Sequence, residues 1–186
     1  MIVHKKQILA IIVVGLLALL PACWPFSKKS DVKKQDLYVI NVLDKNSYYD
    51  CRIAGSINVA FEEIENFAKQ LDRNAEIVVY CANYMCSSSS AAVQKLMQMG
   101  FDRVWAYEGG TAEWYQMGLN NEGKYPIEGT CRASYLSASN EKPEHTEQSS
   151  VPVIDIDELH EKMMKHGMLS TAQVPALSQE GQQAAA

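Results

Sequence analysis

The chain has 186 residues, 47% of them hydrophobic, enough for one packed domain with tails. A formal net charge of -5 with no basic stripe excludes a role built on nucleic-acid binding. Five cysteines (Cys23, Cys51, Cys81, Cys86 and Cys131) are too few and too irregularly spaced for a disulfide scaffold.

The first segment reads as a targeting sequence. His4, Lys5 and Lys6 form a basic start. Ile8 to Leu20 is an unbroken run of apolar residues and glycine. At about 13 residues it has the length of a signal-peptide core and falls short of a bilayer span. Leu20-Pro21-Ala22-Cys23 follows and resembles a bacterial lipobox, in which a small residue precedes a cysteine that becomes lipidated. Pro21 is an uncommon residue there. Residues 1–22 are therefore expected to be a lipoprotein signal peptide, Cys23 the lipidation site and residues 23–35 a polar, lysine-rich membrane tether. Trp24, rather than Asp, after the cysteine favours the outer membrane of a two-membrane cell. The expected location is the bacterial envelope, lipid-anchored and facing the periplasm or exterior, an oxidising compartment.

Residues 36–129 read as the globular domain. Leu37-Tyr-Val-Ile-Asn-Val42 is a buried strand and Ile57-Asn-Val-Ala60 a second, short one. Phe61, Ile64, Phe67, Ala68 and Leu71 recur at helical spacing, with glutamates in the first turn. Ile77 to Tyr80 is the third strand. Ser87 to Met99 is a helix with Ser87 or Ser88 as its cap and Gly100 as its stop. Arg103 to Tyr107 is the fourth strand. A helix then runs from Thr111 or Ala112 to Met117, ended by Gly118. Strands alternating with helices predict an α/β fold, a parallel sheet flanked by helices on both faces, whose ligands bind beyond the carboxyl ends of the strands. Residues 130–186 read as an extension: a Ser/Glu/Pro-rich linker over 137–150, a short amphipathic helix from Val153 to about Gly167, and a low-complexity tail. His145, His160 and His166 lie there without metal-ligand spacing and read as solvated. Neither a metal nor an organic cofactor is expected.

Cys81 ends the third strand and is followed by Ala82-Asn83-Tyr84-Met85-Cys86-Ser87 and then the helix. Strand, short loop and helix N-terminus together converge backbone amides and partial positive charge on one sulfur, which favours thiolate. At this point the pattern resembles the rhodanese-like (sulfurtransferase) domain in its single-domain form. The resemblance runs from Leu37 to Leu119 on four motifs. Asn41-Val42-Leu43 with Tyr48 stands for the family's Asp-Val-Arg and Tyr; Cys51-Arg52-Ile53 with Gly55-Ser56-Ile57-Asn58 for Gly-His-Ile and Gly-Ala-Ile-Asn. Cys81 to Ser87 stands for the active loop Cys-Arg-x-Gly-x-Arg-Ser, and Gly109, Gly110 and Trp114 for Gly-Gly-x-x-x-Trp.

The resemblance implies covalent sulfur transfer: Cys81 takes a sulfane sulfur from a donor such as thiosulfate or a persulfide and passes it to a thiol acceptor. The loop has Ala82 and Cys86 where the family often has arginines, so main-chain amides are left as the anion contacts, with Arg52 as a candidate side-chain contact. Cys86 is a candidate resolving thiol. It could attack a Cys81 persulfide, or pair with Cys81 directly, which makes a redox-sensing or non-catalytic rhodanese-like module the alternative function. Tyr84 and Met85 are expected to line the mouth of the site. A phosphatase on this fold needs Cys-x5-Arg to clamp phosphate, and position 87 is serine. Cys51 and Cys131 are either paired with each other or free. The oligomeric state is not legible.

Overall fold

The computed structural model of the protein describes residues 35–121, 123–142 and 150–169. The signal peptide, Cys23, the tether up to residue 34, His145 and the tail beyond residue 169 lie outside the described residues. In chain order the elements are β1 (Leu37–Asn41), α1 (Lys45–Asp50), β2 (Cys51–Ile53), β3 (Ile57–Asn58), a 3-10 turn (Phe61–Glu63), α2 (Ile64–Ala68), β4 (Glu76–Tyr80), α3 (Ser88–Gln98), β5 (Val104–Tyr107), α4 (Gly110–Asn120), β6 (Ile127–Gly129), a second 3-10 turn (Ser134–Ser137) and α5 (Ile156–Lys165).

Four strands form a parallel sheet in the order β3-β1-β4-β5. Val153 adds a parallel bridge to Ala106 on the β5 edge. Every residue of β1 and β4 is buried, as strands covered on both faces must be. The pleat divides them between two cores. Tyr38, Ile40, Ile77, Val79 and Cys81 pack with Ile64 of α2 and with Ala92, Val93 and Leu96 of α3. Leu37, Val39, Val78 and Tyr80 pack with Trp114 of α4 and with Leu159 and Met163 of α5. The expected parallel sheet with helices on both faces is present. Its pleat decides that the side chain following Tyr80 belongs to the α3 side.

Three boundaries differ from expectation. The helix expected from Phe61 to Leu71 is split into a 3-10 turn and the short α2, and neither start has a side-chain cap. Ser87 occupies the cap position of α3 but makes no capping bond. Helix α4 runs through Gly118, which is a packing contact and not a stop: a Cβ there would sit 2.7 Å from the Tyr125 carbonyl oxygen. Helix α1 is capped by Asp44, whose carboxylate accepts from the amides of Asn46 and Ser47. It leads into β2, which pairs antiparallel with β6, Cys51 opposite Gly129.

Just past β6 the question left open for Cys51 and Cys131 is resolved: they form a disulfide, with Cα atoms 4.5 Å apart. The Cys131 amide donates to the Asp50 carbonyl. The Asp50 carboxylate accepts from Thr130 Oγ1 and from the amides of Arg132 and Ala133.

The C-terminal helix docks on the domain. Leu159 and Met163 are fully buried, each contributing about 2 kcal/mol of apolar burial. Lys162 Nζ reaches the buried carboxylate of Glu76 at 2.6 Å, Arg103 holds its other oxygen, and His166 Nε2 lies 3.9 Å away. Burial alone would raise the Glu76 carboxyl; the hydrogen bond from Lys162 and the charges of Lys162, Arg103 and His166 hold it below the usual range. His160 packs against the rings of Trp114 and Tyr125, so it and His166 are half-buried rather than solvated. No helix among the described residues is long and apolar enough to cross a membrane.

Candidate active site

Cys81 follows β4 directly, and its side chain is fully buried against the first turns of α3. Its sulfur lies 3.0 Å from the Cys86 carbonyl oxygen and 3.5 Å from Ser89 Oγ. Ser89 is itself fully buried. The loop between the two cysteines is tight: the Cys86 amide donates to the Asn83 carbonyl, and the Asn83 side chain accepts from the Met85 amide. Both cysteines are free thiols. Cys86 is half-buried at the foot of α3.

The N-terminus of α4 orients the start of the loop. The Cys81 carbonyl accepts from the amide and hydroxyl of Thr111, and the Ala82 carbonyl from the Ala112 amide. Gly110 permits this approach: at φ +62° a Cβ on it would lie 2.6 Å from the Cys81 carbonyl oxygen. A trans peptide that points the Cys81 carbonyl toward α4 points the Ala82 N–H the opposite way. That turns it toward the α3 side, where it and the N–H of Ser88 in the first turn of α3 favour a Cys86 thiolate.

The two thiols also influence each other's charge. The hydrogen bond from the Cys81 thiol is the largest stabiliser of a Cys86 thiolate; with the Ala82 and Ser88 amides it outweighs burial and brings Cys86 down to about 5. The same bond to Cys86, then burial, then repulsion by a Cys86 thiolate push the Cys81 thiol far above its usual range. Both shifts favour the charge on Cys86 and the proton on Cys81.

Two carboxylates, Glu113 and Glu108, lie near the loop. Tyr84 is half-buried, and its hydroxyl donates to Glu113 Oε1 at 2.9 Å; burial and the Glu113 charge raise its pKa. Glu108 receives Ser90 Oγ and is paired with Lys142. Met85 is 82% exposed beside Cys86. Arg52, the candidate anion contact, is engaged elsewhere: its guanidinium pairs with Glu128 at 2.6 Å and covers the rings of Tyr48 and Tyr49. Among the described residues no three His, Cys, Asp or Glu side chains converge as a metal site. Sequence reasoning missed Glu113 and Ser89. Ser89 stood in a run of four serines with nothing to single it out, and Glu113 is tied to the loop only through the fold.

A strand-end cysteine, a five-residue loop and a helix start, on a parallel sheet with the Gly109-Gly110 turn beneath, define a rhodanese-like domain. A family model described as the rhodanese-like domain matches residues 26–117. The thiosulfate sulfurtransferase GlpE of Coxiella burnetii is 30% identical over 83 residues, covering 45% of this chain and 76% of that protein. The protein of the same name from Shewanella oneidensis is 32% identical over 82 residues, covering 44% and 79%. Among solved structures, the BH2092 protein from Bacillus halodurans is 31% identical, with 52% of this chain and 66% of that chain covered and a TM-score of 0.44. The chain belongs to the rhodanese-like family and carries a single such domain, homologous to the GlpE-type sulfurtransferases.

Proposed function

We propose that this protein is a thiol–disulfide redox module on a rhodanese-like domain, working through the Cys81/Cys86 pair. The observation that carries it is the placement of two free thiols on one tight loop, with the Cys81 sulfur 3.0 Å from the Cys86 carbonyl oxygen. Oxidation joins the two sulfurs and passes two electrons and the one remaining thiol proton to an oxidant, such as a disulfide that leaves as two thiols once water supplies the second proton. The proposed setting is the bacterial envelope, with the chain lipid-anchored at Cys23 after removal of residues 1–22. The Cys51–Cys131 disulfide supports an oxidising compartment.

A second reading is sulfur transfer, with a persulfide on Cys81 passed to a thiol acceptor. It is favoured by the position of Cys81 at the end of β4 and by relatives that are named thiosulfate sulfurtransferases. Intact mass separates the two. The reduced chain is treated with oxidised glutathione and, separately, with thiosulfate and a persulfide donor. Loss of two hydrogens that requires both Cys81 and Cys86 is the expected result. Gain of one sulfur atom that requires only Cys81, with no disulfide formed, would replace the first reading by the second.

A further inference from the structure

We propose that Cys86, not the strand-end Cys81, is the sulfur that attacks an incoming disulfide, and that Cys81 is the resolving thiol, released to act only once Cys86 has been consumed. This rests on the redox reading above and reverses the order in which a rhodanese-like loop would be expected to use its cysteines.

Access is the first argument. The Cys81 sulfur is fully buried beneath the loop, between the Cys86 carbonyl and Ser89. Displacement at a disulfide needs the attacking sulfur in line with the S–S bond, and a partner disulfide cannot reach Cys81 without opening the loop. Cys86 is half-buried, next to the exposed Met85, on the rim of the same loop. Charge is the second argument. Four neutral donors favour charge on the Cys86 sulfur: the Cys81 thiol, the amides of Ala82 and Ser88, and the Ser88 hydroxyl. They hold it as the nucleophilic form without an ion pair to break.

The order follows from burial: Cys81, closed beneath the loop and 3.0 Å from the Cys86 carbonyl oxygen, meets a sulfur that the loop itself carries before any sulfur from outside, and its proton is held by the same neighbour. Two of the three influences that keep Cys81 protonated belong to Cys86: the hydrogen bond between the sulfurs and the repulsion by the Cys86 charge. In the first step the Cys86 thiolate attacks one sulfur of R–S–S–R. A Cys86–S–S–R bond forms, the S–S bond of the substrate breaks, and RS⁻ departs. Cys86 is now uncharged, so both influences are gone. In the second step Cys81 gives its proton to the departed thiolate or to water and attacks the Cys86 sulfur. The Cys81–Cys86 bond forms, the Cys86–S–S–R bond breaks, and a second RS⁻ leaves. The protein dithiol is oxidised by two electrons and the substrate is reduced to two thiols.

The test uses the full chain in detergent with Cys23→Ser, reduced to the point at which mass shows the Cys81/Cys86 pair free and the Cys51–Cys131 bond intact. The probe is 2-hydroxyethyl disulfide, which is uncharged. The Cys81→Ser variant is expected to accumulate a stable mixed disulfide, mapped by peptide mass to Cys86. The Cys86→Ser variant is expected to form one at least ~10-fold more slowly. Iodoacetamide pulses on the unsubstituted pair, which need no disulfide chemistry, should label Cys86 first and hold their rate down to near pH 5. Labelling of Cys81 first, or a mixed disulfide forming faster on Cys81 in Cys86→Ser, would overturn the assignment and leave the redox reading standing. Failure of the unsubstituted pair to lose two hydrogens with any disulfide would overturn both.

Discussion

Replacing the Cys51–Cys131 disulfide by Cys51→Ala/Cys131→Ala is expected to cost the domain several kilocalories of stability. The bond joins residues 80 apart in sequence, so it closes a loop holding β3, α2, β4, α3, β5, α4 and β6. For a loop of that length the chain-entropy treatment gives about 4 kcal/mol at 25 °C. The folded side of the balance keeps most of its contacts: the Asp50 carboxylate still binds Thr130, Arg132 and Ala133, and β2 still pairs with β6. The loss is therefore expected chiefly through a freer unfolded chain. Urea unfolding followed by the fluorescence of buried Trp114 measures it. With a slope of about 2 kcal/mol per molar, the midpoint should fall by ~2 M with the slope rising as the unfolded chain expands. A midpoint within about 0.5 M of the parent would refute the reasoning, because an effect that small lies well below the loop-closure entropy on which it depends.

Glu76→Gln should loosen α5 by about 2 kcal/mol, because Lys162 and Arg103 lose a buried carboxylate between them. Since the folded Glu76 carboxyl lies below its ordinary value, its contribution is complete above the unfolded carboxylate value of about 4.3 and is lost as pH falls through the folded one. The parent's melting temperature should therefore fall more steeply than the variant's below about pH 4, and parallel curves would count against the ion cluster. Gly110→Ala places a Cβ 2.6 Å from the Cys81 carbonyl at positive φ; a loss of about 2 kcal/mol and a higher pH midpoint for Cys86 alkylation are expected, and an unmoved midpoint would show that α4 does not set the loop. Ala82→Arg/Cys86→Arg puts the family's cations into the loop. Charge-assisted bonds of about 2 kcal/mol should let thiosulfate load sulfur onto Cys81 at a concentration tens-fold lower than in the parent, and equal loading by intact mass would remove the role given to those arginines.

What could be read from the sequence is what local pattern controls. β1, β4 and β5 are runs of β-branched and aromatic residues, and α3 has a serine start and Gly100 as its end, so the sheet and the place of Cys81 at a strand end were legible. The pairing of β2 with β6 was not, because three-residue strands so far apart carry no local signal; the Cys51–Cys131 bond depends on that pairing. The same holds for Glu76 and Lys162, which look like solvated charges until α5 lies across the sheet, and for His160, whose aromatic neighbours come from α4 and the turn after it. Within the site, both cysteines were visible but their ranking was not. Which sulfur is buried follows from the parity of β4 against α3, and which is charged follows from where the Ala82 and Ser88 amides point.

The absence of loop arginines and the presence of Cys86 fit one physical requirement. A thiolate beside a guanidinium is stable because two charges cancel; when the sulfur is oxidised to a neutral disulfide, the guanidinium is left half-buried without its counter-ion, at a cost of several kcal/mol. Around Cys86 the donors are a thiol, a hydroxyl and two amides, all neutral. After oxidation the thiol has become part of the new bond, and the hydroxyl and the two amides lose only a strengthened hydrogen bond each. An arginine-lined loop thus favours holding an anion, and a loop of neutral donors favours passing reversibly between thiolate and disulfide. Glu113 on Tyr84 pushes in the same direction, since a carboxylate near the loop opposes an anionic sulfur donor while leaving an uncharged disulfide unhindered.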